Sequence, residues 1–137
     1  MRLSLVLCSV VAATGSGCVG ASVTIQGQTL HYQRVSGRFC DHCAGTQLVS
    51  VAAEGDGQTP VYVTLEFAAC KYVHGQDVNR EGGAHLTYGT LAADRGEIVC
   101  HAVSQERVDL SFSGTLPDGR RIEGRVSSAL KFNAGYD

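Results

Sequence analysis

The chain has 137 residues, of which 17 are glycine and none is tryptophan, and its formal net charge is −2. A weakly acidic chain without a basic stripe lacks the electrostatic footprint that nucleic-acid binding requires. Frequent glycine without runs of strong helix formers disfavours helices and favours strands joined by turns. About 120 residues follow the export signal described next, which is enough for a single domain with its own core.

The first 17 residues have the organisation of an export signal. Arg2 precedes an apolar run over residues 3–13 that is too short to span a bilayer as a helix, and small residues follow it. The sequence Ser16-Gly17-Cys18, a cysteine directly after two small residues, resembles the lipobox of bacterial lipoproteins. That resemblance implies cleavage before Cys18 and attachment of acyl chains to Cys18, and more than one chain holds a protein stably on a membrane.

The resemblance also implies a place in the cell. A lipoprotein of this kind belongs to the bacterial cell envelope, and Val19 after the cysteine, where aspartate is absent, resembles the pattern of outer-membrane sorting. Residues 18–21 would then be the lipidated anchor with a minimal tether, and residues 22–137 a single domain held close to its membrane. The alternative is ordinary cleavage after Ala21, which would discard Cys18 and release a soluble secreted protein.

Strand signals begin directly after the anchor. Residues 21–35 contain two β-prone pieces on either side of Gly27, and residues 47–54 form a third strand that ends in a glycine-rich turn. Residues 60–69 alternate with the period of two that a half-buried strand requires. The apolar face of that strand consists of Val61, Val63, Leu65 and Phe67, and Tyr62 lies on the opposite face.

The second half of the chain predicts two hairpins. Residues 84–91 and 97–104 can pair around a turn at 93–96, and residues 107–132 can pair around Pro117-Asp118-Gly119. Two polar stretches without periodicity, residues 36–45 and 71–83, are predicted to be loops. Seven or eight short strands in one domain predict an all-β fold, either an antiparallel β-sandwich or, alternatively, a small β-barrel.

Four cysteines follow the anchor, and an even number in an exported chain predicts disulfides. These are Cys40, Cys43, Cys70 and Cys100, and each bridge would stabilise a small glycine-rich domain by roughly 2–4 kcal/mol. Three pairings are possible. We expect Cys40 and Cys43 each to reach a distant partner, which would tie residues 36–45 to the sheet. The alternative is a local Cys40–Cys43 bridge together with a bridge between Cys70 and Cys100.

Two other interpretations of the cysteines involve chemistry. The four thiolates of Cys40, Cys43, Cys70 and Cys100 could hold a tetrahedral zinc ion, although only the first pair has the usual spacing of a zinc knuckle. The Cys40-Asp41-His42-Cys43 motif could instead exchange disulfides, since an imidazolium at His42 would favour a thiolate. The disulfide interpretation is preferred, and no cofactor is expected.

No catalytic motif occurs in the sequence, neither a nucleophile elbow nor a phosphate-binding glycine loop. We therefore expect a non-enzymatic, membrane-tethered binding or structural domain, with a thiol-redox or zinc-dependent protein as the alternative. Binding is expected at the predicted loops, because loops on a rigid sheet carry recognition. The first candidates are Tyr62, Tyr72 and His74. The partner would be a protein or a small molecule and not a nucleic acid, and the membrane would be contacted through Cys18.

Overall fold

The computed structural model describes residues 20–43, 45–67, 75–77 and 84–133, and eleven β-strands make up most of this part of the chain. The all-β prediction is therefore confirmed. Within these residues, no helix is long and apolar enough to span a membrane. The strands are β1 Gly20–Ile25, β2 Gln28–Tyr32, β3 Arg34–Cys43, β4 Thr46–Glu54, β5 Val61–Glu66, β6 Gly75–Asp77, β7 His85–Tyr88, β8 Leu91–Ala92, β9 Arg95–Val103, β10 Arg107–Thr115 and β11 Arg121–Asn133.

The strands form one continuous mixed sheet, in which two parts, termed sheet A and sheet B, share β11. Sheet A has the order β6-β9-β10-β11-β1-β2, and sheet B has the order β11-β3-β4-β5-β7-β8. All described pairs are antiparallel except β11 with β3, which run parallel over four residues each. The expected antiparallel fold thus has one parallel pair, and the choice between a sandwich and a barrel stays a prediction.

Strand β11 changes sheets along its length. Residues 121–129 pair with β10 and residues 122–127 with β1, whereas residues 130–133 pair with β3. At this crossover the backbones approach closely. A methyl group at Gly37 would lie 2.7 Å from Leu130 Cδ2 and 2.8 Å from the carbonyl oxygen of Ala129. Glycine is therefore required where β3 replaces β1 as the neighbour of β11.

The inward faces of both sheets form one hydrophobic core. Alternate residues of β1, β4, β5 and β10 are buried, as the period of two requires, whereas β3 buries the adjacent Phe39 and Cys40. Sheet A contributes Val23, Leu110 and Ile122, and sheet B contributes Phe39, Val49 and Leu65, all with no exposed surface.

Tyr32, at the end of β2, links the two sheets. Its hydroxyl donates a hydrogen bond of 2.6 Å to the carbonyl oxygen of Thr59, which precedes β5. Gln58 Nε2 in turn donates to the carbonyl oxygen of His31 at 3.1 Å. Burial, with a smaller contribution from the charge of Tyr88, raises the pKa of Tyr32 to about 12. The tyrosine therefore stays neutral and keeps its hydrogen bond across the physiological pH range.

Three predicted elements were wrong or lie partly outside the described residues. The predicted loop at 36–45 is wrong, because most of it belongs to β3. The alternation of β3 from Val35 to Phe39 is hard to see in the sequence, since Gly37 stands at one of its less exposed positions and has no side chain. The predicted hairpin of residues 84–104 does not form, since β7 pairs with β5 and β8 while β9 pairs with β10 and β6. Of the predicted loop at 71–83, only residues 75–77 are described, and they form β6.

Candidate functional site

A groove of about 500 Å³ crosses four strands on the outer face of sheet A. The register of these strands arranges the outward side chains in two rows across the sheet. Short hydroxyl side chains form much of its floor, and longer charged side chains project beside them. The first row is Ser22, Arg125, Ser111 and Val99, and the second row is Thr24, Glu123, Ser113 and Glu97.

The two rows cross all four strands of the groove. Neighbouring strands lie about 4.8 Å apart, so a row of four residues spans roughly 14 Å. Gly124 lies on β11 between Glu123 and Arg125, and a methyl group there would be 2.5 Å from the carbonyl oxygen of Ser22. The backbones of β1 and β11 are therefore closely packed beneath the groove.

An ion pair fixes the guanidinium group of Arg125. Its Nε donates to Asp109 Oδ1 at 3.0 Å and its Nη2 donates to Asp109 Oδ2 at 2.8 Å. Two parallel charge-assisted hydrogen bonds hold such a pair in one geometry. Partial burial raises the pKa of the Asp109 carboxyl group, but hydrogen bonds from Arg125 and Ser127 and the charges of Arg125 and His101 outweigh it, so the pKa is lowered.

The remaining charges make the groove acidic. Arg125 is already neutralised by Asp109. Glu123 is 3.9 Å from Arg121 Nη2, at the outer limit of an ion pair, and both side chains are largely exposed. Among the described residues, the carboxylate of Glu97 has no ion-pair or hydrogen-bond partner. Two carboxylates that can accept hydrogen bonds therefore border a floor of hydroxyl groups.

Replacing Asp109 by asparagine should lower the free energy of unfolding by about 0.5–1 kcal/mol at neutral pH. The pKa of Asp109 is lower in the folded chain than the unfolded value of about 3.9, so its stabilising contribution is present above pH 4. It is lost as the pH falls through the folded pKa. Urea unfolding of both proteins across this range should therefore give curves that converge in acid.

Asp56→Asn is the matched control, because its pair with Arg34 is longer, at 3.3 Å, and the Asp56 side chain is 85% exposed. This variant should differ little from the parent protein at any pH. A difference between Asp109→Asn and the parent that persists unchanged in acid would show that the carboxylate charge is not the cause.

A second candidate site surrounds the bridge between Cys40 and Cys43. A shift in the register of β3 against β4 brings their Cα atoms to 5.8 Å, whereas residues three apart in a regular strand are about 10 Å apart. The expectation that each of these cysteines reaches a distant partner is therefore wrong, and the local bridge is confirmed. Cys100 is also disulfide-bonded, and its partner lies outside the described residues, as does Cys70.

The surroundings of this bridge are polar on one side and buried on the other. Cys40 is 4% exposed, while His42 is exposed. Asp41 accepts a hydrogen bond of 2.7 Å from Gln47 Nε2. A cavity of about 230 Å³ is bounded by Asp41, His42, Gly45, Thr46 and Gln47. The described residues include no group of three or more side chains placed to hold a metal ion.

The other predicted site residues are not brought together. Tyr62 lies on the outer face of sheet B between Ala52 and Thr87, is 39% exposed and does not border either cavity. Tyr72, His74 and Cys18 lie outside the described residues.

Sequence reasoning did not identify the groove on sheet A. Alternation of polar residues in strands such as 107–113 was visible, but only the register shows that four such faces join. Comparisons with protein-family models, curated proteins and solved structures found no match for this chain. The function is therefore inferred from the chemistry of the two sites and from the resemblance of the export signal to that of bacterial lipoproteins.

Proposed function

We propose that the protein is a lipoprotein of the bacterial cell envelope whose β domain binds a hydroxyl-rich ligand, such as a glycan chain, without catalysing a reaction. The observation that supports binding is the groove of about 500 Å³ on sheet A, lined by hydroxyl groups and charged side chains. Serine and threonine hydroxyls both donate and accept hydrogen bonds, and carboxylates accept them from sugar hydroxyls. The acidic balance of the groove favours neutral or cationic glycans over anionic ones.

The absence of hydrolysis is part of the proposal. Glu97 and Glu123 are both exposed. A carboxyl group that acts as a general acid at neutral pH is usually shielded from water or placed beside a like charge. The exposed setting of these two carboxylates therefore favours recognition of a glycan over its cleavage.

Attachment through acyl chains on Cys18 to the outer membrane is proposed from the resemblance to the lipobox. Strand β1 begins at Gly20, only two residues after Cys18. Intact-mass measurement of the protein made in a bacterial envelope tests this part. A mature chain that begins at Cys18 and carries acyl mass would support it, and an unmodified chain that begins at Ser22 would contradict it.

Calorimetric titration of the mature protein with a neutral oligosaccharide, the tetramer of N-acetylglucosamine, tests the binding site. Glu97→Gln and Glu123→Gln should each weaken binding about tenfold or more, because a hydrogen bond to a charged acceptor is lost. Glu54→Gln is the matched control, since Glu54 is an exposed carboxylate on sheet B. Equal affinity of all three variants, or release of new reducing ends from the glycan, would contradict the proposal.

A second candidate function, thiol–disulfide exchange, is favoured by the local Cys40–Cys43 bridge beside the exposed His42. Equilibration with glutathione buffers and labelling of Cys40 and Cys43 would measure the reduction potential. A value no more negative than about −270 mV, as in thioredoxin, would support exchange, and a value below about −300 mV would indicate a structural bridge. The zinc alternative requires reduced cysteines, and zinc retained by protein purified in reductant would support it.

A further inference from the structure

Two cations lie directly opposite each other where β11 joins sheet B. Arg38 of β3 and Lys131 of β11 are paired in register, and both are exposed. Like charges in this arrangement repel each other and destabilise a sheet. Among the described residues neither cation has an acidic partner.

No carboxylate oxygen of the described residues lies within 4 Å of the charged nitrogen atoms of either cation, although Glu106 is hydrogen-bonded through its backbone to Leu130. The row that starts with Lys131 and Arg38 continues through Ser50 and Thr64 to His85, without a carboxylate. By contrast, four other arginines have acidic partners within 4 Å. These are Arg34 with Asp56, Arg120 with Asp118, Arg121 with Glu123 and Arg125 with Asp109. An uncompensated pair of this kind favours an anionic partner outside the chain.

An exposed aromatic ring lies at the same end of β11, on the face of the strand opposite to Lys131 and Arg38. Phe132 is 57% exposed, the larger exposed fraction of the two large hydrophobic side chains that are exposed in the described part of the chain. It stacks on the buried ring of Phe39, with centroids 5.8 Å apart and planes inclined at 28°. The ring is therefore held in place while most of its surface faces solvent. A membrane that meets this end of β11 would therefore contact the two cations on one face and the ring on the other, and basic and aromatic residues are typical anchors at a membrane surface.

The start of the domain lies near the same place. Gly20, the first residue of β1, is opposite Ser127 of β11, and Lys131 is four residues further along that strand, about 13 Å away. Because β1 runs antiparallel to β11, the chain enters β1 from the end of β11 that contains Lys131. Two residues reach at most about 7 Å, so acyl chains on Cys18 would hold this region near the bilayer.

We propose that Arg38, Lys131 and Phe132, which we term the basic corner, rest on the membrane and bind anionic phospholipid headgroups. This inference deepens the proposed function, because it rests on attachment through Cys18. The two cations attract headgroup phosphates, and Phe132 enters the boundary between headgroups and acyl chains. The groove on sheet A is not part of the basic corner and remains free to bind its ligand.

Vesicle binding by the mature chain with Cys18→Ser tests the basic corner independently of the acyl chains. The parent of this series should sediment with vesicles that contain phosphatidylglycerol and not with pure phosphatidylcholine, and high salt should release it. Arg38→Gln with Lys131→Gln should weaken binding about 30-fold, since each cation near an anionic surface contributes a several-fold increase in affinity. Phe132→Ser should weaken binding about tenfold.

The matched control is Arg34→Gln with Arg120→Gln, which removes the same charge from cations that already have acidic partners. Circular dichroism would verify that every variant is folded. The control should bind vesicles within about twofold of the parent. Equal weakening by both double variants would overturn the proposal, as would the absence of a preference for phosphatidylglycerol. Release of the protein by inorganic phosphate at a concentration equal to that of the lipid phosphate would also overturn it.

The two proposals fail separately. This inference alone would be overturned if Cys18 is acylated in protein from the envelope but substitutions in the basic corner leave vesicle binding unchanged. The proposed tether would then stand. An unmodified Ser22 terminus would overturn the tether, whatever the vesicle result.

Discussion

Alanine at Gly96 is expected to lower the free energy of unfolding by at least about 3 kcal/mol. Gly96 lies near the start of β9 with a φ of +154°, a backbone conformation that is nearly restricted to glycine. A methyl group would also meet the carbonyl oxygen of Ser113 and lie 2.7 Å from the Cα atom of Gly114. Both atoms belong to the backbone of β10, so neither can move without disturbing the sheet.

Gly119→Ala separates conformational strain from this steric contact. Gly119 also has a positive φ, +92°, but a methyl group there would meet nothing within 4 Å. Gly119→Ala should lower the free energy of unfolding by about 1 kcal/mol, which is the cost of the backbone conformation alone. Urea unfolding followed by far-ultraviolet circular dichroism measures both values. Similar losses in the two variants would show that the contact with β10 contributes nothing.

Truncation of Phe39 is the second large effect. Phe39→Ala should lower the free energy of unfolding by about 3–5 kcal/mol, because it removes a fully buried ring at the centre of sheet B. That ring packs edge-to-face on Phe67 at 4.9 Å between centroids and stacks on Phe132. It lies in register between Phe132 and Val49, near the crossover of β11, where a cavity has little room to collapse.

Phe39→Leu is the control, since it retains most of the buried apolar volume and should cost about 1.5 kcal/mol or less. The urea midpoint of each variant should fall while the dependence on urea concentration stays unchanged. A loss below about 1 kcal/mol for Phe39→Ala would mean that the aromatic cluster contributes little to the core.

The elements predicted correctly have signals that are local in the sequence. Val108, Leu110 and Phe112 alternate with polar residues, and a proline–aspartate–glycine turn follows, so the hairpin of β10 and β11 could be predicted from about 25 residues. The strand at β5 has the same regular alternation. In both cases periodicity identifies the buried face, and the turn residues identify the neighbour.

The elements predicted wrongly depend on contacts between distant residues. Residues 93–96 have the composition of a hairpin turn, yet Ala93 is buried and its amide donates to Leu86, while the amide of Asp94 donates to Thr115 of β10. They carry the chain from sheet B to sheet A. Likewise, no local pattern predicts the parallel pairing of β11 with β3, because periodicity gives the face of a strand and not its partner.

The candidate sites differ in the same way. The cysteines were visible in the sequence, but the Cys40–Cys43 pairing depends on a register shift against β4. The groove depends on the alignment of four strands separated by up to 100 residues. Residue types alone predicted polar outer faces, and only the register assembles them into a surface.

The position of β11 has a consequence for the time at which the chain can fold. Both sheets contain this strand, and it is the last described strand in the chain. While the chain is being made, β1 can pair with β2 and β3 with β4, but the strand that joins these two pairs is missing until β11 has emerged. Long-range pairings of this kind form slowly. If the chain is exported as proposed, this late pairing would leave the two parts of the sheet unjoined until β11 has passed the export channel, and the core would be completed only on the far side.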